Sequence, residues 1–241
     1  MLPFSESIII LPTYNEADNI CQMVEAIGEI SNELSILVVD DGSPDGTAEL
    51  VRGIQKNNTR VHLLERSGKM GLGTAYIAGF RWALERSFNY VFEMDCDFSH
   101  SPDDLPRLLE AAQSNDLVIG SRYIDGIRII NWPFSRLLLS YMAGLYTRFI
   151  TGIPIFDTTG GFKCFHRRSL EALDLDRIFS NGYAFQLELN YKVWNLGLKI
   201  KEVPITFYER RSGMSKMSQR IVVEAIFAVV LLRLKKILRL L

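Results

Sequence analysis

The sequence predicts an α/β protein in which a mostly parallel sheet is covered by helices on both faces. Short, continuous apolar runs recur through the first half of the chain, and each run is followed by a polar, turn-forming loop. A stretch with helical periodicity follows most of these loops. Continuous apolar runs are typical of strands buried on both faces, and the alternation of strand and helix makes neighbouring strands parallel.

The elements can be taken in chain order. The first apolar run covers residues 7–12 and ends at a proline, after which Asn15 to Asp18 supply helix-start chemistry. A second run at 36–39 leads into an acidic, turn-rich loop and a helical pattern through Ile54. The remaining predicted elements are strands at 61–64, 90–94 and 117–119 and helices at 74–84 and 105–112.

Composition narrows the class of protein. The chain has 241 residues, of which 48% are hydrophobic and 23% charged, which suits one large α/β domain and is short for two. A net charge of -1 gives no overall attraction to nucleic acid, so no nucleic-acid partner is expected. Residues 1–6 lack the features of a signal peptide, and Cys21, Cys96 and Cys164 form no C-x-x-C pair. We therefore expect a cytoplasmic protein with reduced, structural cysteines.

Polar groups follow the predicted strands directly. Residues 12–16, 40–45 and 95–100 each begin where an apolar run ends. In open parallel sheets the loops at the carboxyl ends of the strands converge on a crevice where ligands bind. The sequence therefore predicts one functional crevice at this edge of the sheet.

Asp95 and Asp97 form a D-x-D pair in the third of these loops. Carboxylate oxygens suit Mg²⁺ or Mn²⁺, and such an ion can bridge the two phosphates of a nucleotide sugar and neutralise a departing diphosphate. A pair like this also arises in ordinary solvated turns, so its significance depends on the motifs around it.

The surrounding motifs are Pro-Thr-Tyr-Asn-Glu at 12–16, Asp-Asp-Gly-Ser-Pro-Asp-Gly-Thr at 40–47, Asp-Cys-Asp at 95–97, Gly-Ser-Arg-Tyr at 120–123, Asp-Thr-Thr-Gly-Gly-Phe at 157–162, Gly-Tyr-Ala-Phe-Gln at 182–186 and Glu-Val-Pro-Ile at 202–205. In this order they resemble the inverting GT-A glycosyltransferases of family 2, and most specifically the dolichol-phosphate mannose synthases, or polyprenyl-phosphate mannosyltransferases. The resemblance implies a GT-A catalytic domain over residues 1–220. It also implies transfer of mannose from GDP-mannose to a dolichyl or other polyprenyl phosphate.

The resemblance also implies roles for individual residues. Donor-binding roles fall on Pro12, Tyr14, Glu16, Asp41, Asp95, Cys96, Asp97, Arg210 and Lys216. Acceptor-binding roles fall on Arg122, Arg136 and Ser140, and the catalytic set is Asp95, Asp97, Arg122 and Arg136. The metal ligands are Asp95, Asp97 and Ser99, where Ser99 stands in place of a glutamine common in the family.

An acceptor phosphate shapes the expected mechanism. A phosphate monoester is already ionised near neutral pH, so no general base is required to make it a nucleophile. We expect an inverting, in-line displacement in which positioning, the metal ion and the cationic side chains provide the catalysis.

Other polar residues have simpler interpretations. Asp45 is predicted to cap a helix, and the turn at 157–161 is compatible with either an acceptor-side role or a purely structural one. Gln186 and Glu188 are two apart on a predicted helix and cannot share a face, and Gln186 is the one expected to face the crevice.

Two further sets of residues are not expected to form sites. His62, His100 and His166 lack the spacing of a metal site or a triad and are predicted to be surface or packing residues. The glycine-rich segment 68–73 matches neither phosphate-loop nor dinucleotide spacing.

The second half of the chain raises the question of a membrane. Residues 221–241 predict an amphipathic, basic C-terminal helix, whose apolar part is shorter than the roughly 20 residues needed to span a bilayer. With the amphipathic region 131–156, it favours a peripheral position on the cytoplasmic face of a membrane, with a membrane-anchoring partner subunit possible. The alternative is a core-packing terminal helix with a solvated basic end.

Three functional alternatives stay open at this point. The donor could be UDP-glucose, with the same lipid acceptor. The acceptor could be a carbohydrate hydroxyl, which would need a catalytic carboxylate that the sequence does not identify. A non-catalytic nucleotide-sugar-binding protein could share the fold, although the retention of Asp95 and Asp97 beside cationic residues argues against it.

Overall fold

The computed structural model describes residues 1–180, 182–209 and 219–238. Within them the strands are β1 (Ser7–Thr13), β2 (Ser35–Asp40), β3 (Val61–Glu65), β4 (Tyr90–Glu93), β5 (Leu117–Ser121), β6 (Ile129–Ile130), β7 (Lys163–His166), β8 (Ile200–Pro204) and β9 (Phe207–Tyr208). A seven-stranded sheet has the order β3-β2-β1-β4-β7-β5-β8, and β6 pairs with β9 separately. The pairs β1–β2, β1–β4, β2–β3 and β5–β8 are parallel, so the prediction of a mostly parallel sheet is confirmed.

Helices cover both faces of this sheet. They are α1 (Ile20–Ile30), α2 (Thr47–Gln55), α3 (Leu72–Leu84), α4 (Leu105–Ala112), α5 (Phe134–Thr151), α6 (Arg167–Ala172), α7 (Gly182–Asn195) and α8 (Gln219–Ile237). Alternate residues of β1 enter two different cores, because successive side chains of a strand point to opposite faces. Ile9 and Leu11 pack in the core that includes α1 and α4, whereas Ile8 and Ile10 pack in the core that includes α3 and α7.

The sequence did not predict β6, β7, β8 or β9, and of these β7 lies inside the seven-stranded sheet. β7 is antiparallel and lies between β4 and β5, so that Glu93 is opposite Lys163. Its four residues begin with a lysine and end with a histidine, and they therefore do not form an apolar run. The insertion of β7 brings Lys163 next to the end of β4, directly below the predicted crevice.

Helices α5 and α8 lie against each other and leave an apolar surface exposed. The Tyr146 hydroxyl donates a hydrogen bond to the Ile226 carbonyl at 3.4 Å. Ala228, Val229 and Leu232 of α8 are buried, whereas Phe227 is 70% exposed. Across the described part of the chain, every helix falls short of the length and apolar character that crossing a membrane requires.

Candidate active site

A cavity of about 330 Å³ opens at the carboxyl ends of the parallel strands, where the crevice was predicted. It brings together residues from most of the quoted motifs. The predicted site residues that line it are Pro12, Tyr14, Glu16, Asp41, Asp95, Cys96, Asp97, Ser99, Arg122 and Arg136. Arg210 and Lys216 lie outside the described residues.

The D-x-D pair lies in a sharp turn just after β4. Phe98, which follows the pair, has a φ of 60°, a left-handed conformation that is uncommon for a bulky residue. The Ser99 amide donates a hydrogen bond to Asp97 Oδ1 at 3.0 Å, which orients that carboxylate. The Asp95 side chain is 38% exposed, whereas Asp97 is 7% exposed. The turn therefore presents one carboxylate to solvent and keeps the other in the cavity wall.

These residues fit a divalent cation that the substrate helps to coordinate. Within the described residues, no group of three or more histidine, cysteine, aspartate or glutamate side chains forms a complete protein metal site. Mg²⁺ is commonly held by only one or two carboxylates, with substrate phosphates and water supplying the other ligands. Asp95 and Asp97 line the cavity as such a pair, and Ser99 lines it beside them.

Asp41 connects β2 to the loop that follows β3. Its Oδ1 lies 2.7 Å from Arg66 Nε, and its Oδ2 accepts a hydrogen bond from the Met70 amide at 3.2 Å. Both charged side chains of the pair are largely buried. The carboxylate therefore holds the loop over one side of the cavity in addition to lining the cavity itself.

The two other acidic residues of this motif have structural contacts. Asp40 accepts hydrogen bonds from Thr13 Oγ1 at 2.9 Å and from the Ser43 amide at 2.9 Å. Asp45 accepts from the amide of Thr47, the first residue of α2, at 3.1 Å, so it caps the helix start as predicted but from the position before the N-cap residue Gly46. Burial acts to raise the pKa of Asp45, but the hydrogen bonds from Thr47 and Ala17 outweigh it and lower the pKa.

Sequence reasoning missed Lys69. Its ammonium lies 4.3 Å from the centre of the Tyr14 ring, and both side chains line the cavity. The sequence feature that could have indicated Lys69 is its position in the glycine-rich segment 68–73, which matches neither phosphate-loop nor dinucleotide spacing. The segment lies at the cavity wall although it has neither spacing.

Arg122 is held by a buried carboxylate. Its Nε and Nη2 donate to the two oxygens of Asp157 at 2.7 and 2.6 Å, and Nη2 also donates to Thr159 Oγ1 at 3.0 Å. Burial acts to raise the pKa of Asp157, but the charge and hydrogen bonds of Arg122 outweigh it and lower the pKa. The turn at 157–161, whose role the sequence left open, thus supplies the counter-ion of Arg122.

Arg136 is held in a more open position. Its Nη1 donates to both oxygens of Glu209, at 2.9 and 2.6 Å, and its guanidinium lies 3.9 Å from the centre of the Trp132 ring. The Arg136 side chain is 12% exposed and that of Glu209 is 28% exposed. This pair therefore lies nearer the solvent than the pair of Arg122 and Asp157.

Ser140 does not line the cavity in this structure. It lies on α5, and its hydroxyl accepts a hydrogen bond from the Tyr123 hydroxyl at 2.8 Å. It is absent from the residues that line the cavity, whereas Arg122 and Arg136, predicted with it, are present.

His100 is a packing residue inside the cavity wall. Its ring is stacked 5.1 Å from that of Phe162, and its Nδ1 accepts a hydrogen bond from the Asp95 amide at 3.3 Å. Burial lowers the pKa of His100 to about 4, so the ring is neutral at physiological pH. A neutral ring is what allows Nδ1 to accept that bond. The predicted packing role agrees with these contacts, although its place beside the D-x-D turn was not predicted.

Another buried ion pair lies beneath the cavity, between Glu93 and Lys163. Both side chains are fully buried, with Lys163 Nζ 3.7 Å from Glu93 Oε2. Burial raises the pKa of Glu93 to about 7 and lowers the pKa of Lys163 to about 8, although each residue partly offsets the shift of the other. Gln186 lines the cavity above them, while Glu188 accepts hydrogen bonds from the amide of Ser180 instead. As expected from the sequence, Gln186 is the member of that pair that faces the cavity.

Comparison with known proteins identifies close relatives. The family described as glycosyl transferase family 2 matches residues 8–174. The chain is 45% identical to the polyprenol monophosphomannose synthase of Mycolicibacterium smegmatis, over 94% of this chain and 86% of that protein. It is 47% identical to the undecaprenyl-phosphate mannosyltransferase of Micrococcus luteus, over 91% of this chain and 90% of that protein.

Solved structures with the same fold are more distant in sequence. Glucosyl-3-phosphoglycerate synthase of Mycobacterium tuberculosis, in complex with Mn²⁺, UDP and glucosyl-3-phosphoglycerate, has a TM-score of 0.67 at 20% identity, over 94% of this chain and 79% of that one. A mannosyltransferase of Pyrobaculum calidifontis, in complex with GDP-Man and Mn²⁺, has a TM-score of 0.63 at 19% identity, over 97% and 64%. These likenesses show the fold, which is the GT-A fold.

Proposed function

The chain belongs to glycosyl transferase family 2, and from that premise we propose that it transfers mannose from GDP-mannose to a polyprenyl phosphate, with inversion at the anomeric carbon. The observation that carries the proposal is that Asp95, Asp97, Arg122 and Arg136 all line one cavity. The diphosphate of a nucleotide sugar needs a metal ion held by carboxylates, whereas a phosphate acceptor needs cationic side chains. This cavity offers both. The names of the two relatives at 45% and 47% identity support the choice of sugar and acceptor.

The donor is assigned to the side of the cavity formed by the loops after β1, β2 and β4. Pro12, Tyr14, Glu16 and Asp41 would frame the nucleoside, with a carboxylate accepting hydrogen bonds from the base or ribose. Cys96 lines the same wall between the two aspartates. Arg210 and Lys216, predicted to contact the donor phosphates, stay predictions because they lie outside the described residues.

Asp95 and Asp97, with Ser99 as a third ligand, would hold Mg²⁺ or Mn²⁺. When bound, the ion would neutralise charge on the departing diphosphate. The protein contributes the orientation of the carboxylates: the turn at Phe98 and the Ser99 amide hold Asp97 in place before any ligand arrives. Ligands that are already oriented lose little freedom on binding.

The acceptor phosphate is assigned to Arg122, Arg136 and Ser140. Guanidinium groups bind phosphate oxygens in a bidentate way and favour the ionised form of the phosphate. The nucleophile is then an oxygen that already carries charge, so the chain's residues need only align it with the anomeric carbon. Ser140 would contribute after its hydrogen bond with Tyr123 is exchanged for one to the ligand.

A lipid acceptor requires contact with a membrane, and α5 and α8 supply a suitable surface. Phe134, Phe149 and Phe227 are 75%, 87% and 70% exposed. Lys235 and Lys236 lie in the last turn of α8, with their ammonium groups over the rings of Phe179 and Trp194, and their charges would favour an anionic lipid surface. We assign residues 1–220 to catalysis and 221–241 to a basic, interfacial segment at the cytoplasmic face of the membrane. An anchoring membrane subunit would be compatible with this arrangement.

The test is a transfer assay. Purified protein is incubated with Mg²⁺ or Mn²⁺, a polyprenyl phosphate in detergent, and radiolabelled GDP-mannose or UDP-glucose in parallel, and lipid-extracted label is counted. We expect label from GDP-mannose. Label from UDP-glucose alone would keep the reaction but change the donor, and no label from either, despite donor binding, would refute the proposed transfer. A reaction without polyprenyl phosphate is the control for non-lipid products.

A further inference from the structure

A buried polar cluster lies directly under the floor of the cavity and has no part in the mechanism above. Glu93 and Lys163 are 0% exposed, and Gln186 is 3% exposed. Removing a pair of charges from water is costly, and apolar side chains of similar size are often as stable or more stable in such a place. Stabilisation of the core therefore does not by itself account for these two charged residues. Their role is better sought in their effect on a neighbouring side chain.

That neighbour is the side chain of Gln186. Lys163 Nζ donates a hydrogen bond to Gln186 Oε1 and another, at 3.3 Å, to the Gln186 carbonyl oxygen. Glu93 is paired with Lys163, and both of its carboxylate oxygens, like Gln186 Nε2, are buried without a hydrogen-bond partner among the described residues. A lysine donates hydrogen bonds and cannot accept them, so its contact with Oε1 determines which end of the amide is oxygen. The amide nitrogen is consequently directed away from Lys163.

The amide nitrogen borders the open space of the cavity. A Cβ atom placed on Gly161 would lie 3.8 Å from Gln186 Nε2, 3.8 Å from His100 Cε1 and 3.9 Å from Asp95 Oδ2. All four residues line the cavity. The glycine thus leaves a small space between the amide and the D-x-D turn. Gln186 Nε2 has no hydrogen-bond partner within the described residues, and an amide nitrogen carries two hydrogens, so it can donate a hydrogen bond into that space.

We propose that Glu93 and Lys163 are positioning residues, which orient the Gln186 amide so that its N–H donates to a hydroxyl of the sugar being transferred. The proposal rests on the proposed function, because the sugar must lie beside the metal-binding aspartates. A hydroxyl oxygen accepts such a bond readily. Neither Glu93 nor Lys163 touches the ligand; each acts through the orientation of Gln186.

The experiment compares binding of GDP-mannose with binding of GDP by calorimetry, in the presence of Mg²⁺, for the wild type and for Lys163→Met, Gln186→Ala and the double variant. Only GDP-mannose carries the sugar, so losing its hydrogen bond should weaken GDP-mannose binding about 5- to 10-fold relative to GDP. Each single variant should show that loss. The double variant should lose no more than Gln186→Ala alone, because both changes remove the same contact.

Turnover supplies a second readout that a purely structural role would not reproduce. We expect kcat for mannosyl transfer to fall in both single variants, with non-additive effects and an unchanged KM for the lipid acceptor. Gly161→Ala tests the space independently, since the added methyl group makes only ordinary contacts and requires no unusual backbone conformation. It should also lower GDP-mannose binding relative to GDP.

Folding is controlled in two ways. Lys163→Met leaves Glu93 unpaired and could prevent folding. In that case the double variant Glu93→Gln/Lys163→Met, which removes both charges, takes the place of Lys163→Met in the binding experiment. Asp116→Asn breaks the ion pair with Arg168 at the opposite end of the sheet and serves as the matched control, with lower stability and an unchanged ratio of the two affinities.

The outcomes separate this proposal from the proposed function. An unchanged ratio of affinities in Lys163→Met, or multiplicative effects of Lys163→Met and Gln186→Ala, would overturn the positioning role even if the wild type transfers mannose normally. A wild-type protein that binds neither GDP-mannose nor GDP would instead refute the proposed function on which this inference rests.

Discussion

The two sides of the cavity are built differently. On the donor side, which we define as Asp41, Asp95 and Asp97, acidic groups come from loops that directly follow parallel strands. On the acceptor side, defined as Arg122 and Arg136, each cation is matched by a carboxylate distant in sequence, 35 and 73 residues away. The contrast teaches that a neighbouring residue orients the proposed metal ligand Asp97, whereas an anion at the acceptor side has to share or displace a carboxylate from a distant segment.

The two arginines also differ from each other. Asp157 is fully buried against Arg122, whereas Glu209 at Arg136 is 28% exposed. Breaking a buried pair leaves an uncompensated charge, while exposed pairs contribute little to stability. Arg122 is therefore suited to binding a phosphate while it stays paired with Asp157, and Arg136 to exchanging Glu209 for a phosphate.

The largest effect is expected from Asp97→Asn on the donor side. Loss of one charged metal ligand should reduce kcat about 10³-fold in the mannosyl-transfer assay, because charge on the leaving diphosphate is no longer balanced. The circular dichroism spectrum should be unchanged. Near-normal turnover would remove Asp97 from the mechanism and with it the metal assignment of the donor side.

On the acceptor side, Asp157→Asn should lower the free energy of unfolding in urea by about 3 kcal/mol, since Arg122 becomes an unpaired buried charge. The matched change Glu209→Gln, at the more exposed pair, should cost less than about 1 kcal/mol. Equal decreases in the free energy of unfolding of the two variants would show that the two ion pairs contribute equally to stability and would contradict the proposed difference between the arginines.

The donor side should also be sensitive to acid through His100. Its pKa is about 4 in the folded protein against an ordinary value of 6.5, so the unfolded chain binds a proton first as the pH falls. The contribution of neutral His100 is therefore fully present above pH 6.5 and is lost toward pH 4, by roughly 3 kcal/mol.

The measurement compares wild type with His100→Asn, whose amide oxygen can still accept the Asp95 amide hydrogen bond. As the pH falls from about 7.5 to about 4, the free energy of unfolding of the wild type should decrease more than that of His100→Asn. A histidine NMR titration with a midpoint near 6.5 for His100 would contradict this prediction.

Arg136→Ala should raise the KM for polyprenyl phosphate about 10- to 30-fold, through loss of a guanidinium–phosphate contact. The KM for GDP-mannose should change less than about twofold, because Arg136 is not assigned a contact with the donor. The reverse pattern would move Arg136 to the donor side and overturn the division of the cavity.

The smallest effect is expected at Lys69. Its cation–π contact with Tyr14 is worth about 0.5–1 kcal/mol, so Lys69→Gln should raise the KM for GDP-mannose roughly 2- to 5-fold. Lys69→Arg, which retains the charge, serves as the control and should stay near wild type. A shift in the KM of the lipid acceptor alone would place Lys69 on the acceptor side instead.

The structure bears on one of the two sequence interpretations of the terminal helix, the core-packing one, and leaves the interfacial one a proposal. Residues 221–241 were compatible with an interfacial helix or a core-packing helix. In the structure α8 buries Ala228, Val229 and Leu232 while Phe227 and Leu231 stay exposed. Apolar residues occur on both faces of the helix, so sequence periodicity alone could not decide which face meets the protein.

The sequence by itself determined strands β1 to β5, the crevice at the carboxyl ends of the parallel strands and the acidic residues of the donor side. These features depend on residues next to each other in the chain, where apolar runs and turn-forming loops leave a local pattern. Only the tertiary structure decided that β7 enters the sheet antiparallel, that Asp157 and Glu209 neutralise the arginines, and that Lys163 lies under Gln186. Each of these depends on contacts between segments distant in sequence, and a charged residue in the chain does not indicate which distant carboxylate or amide will be folded against it.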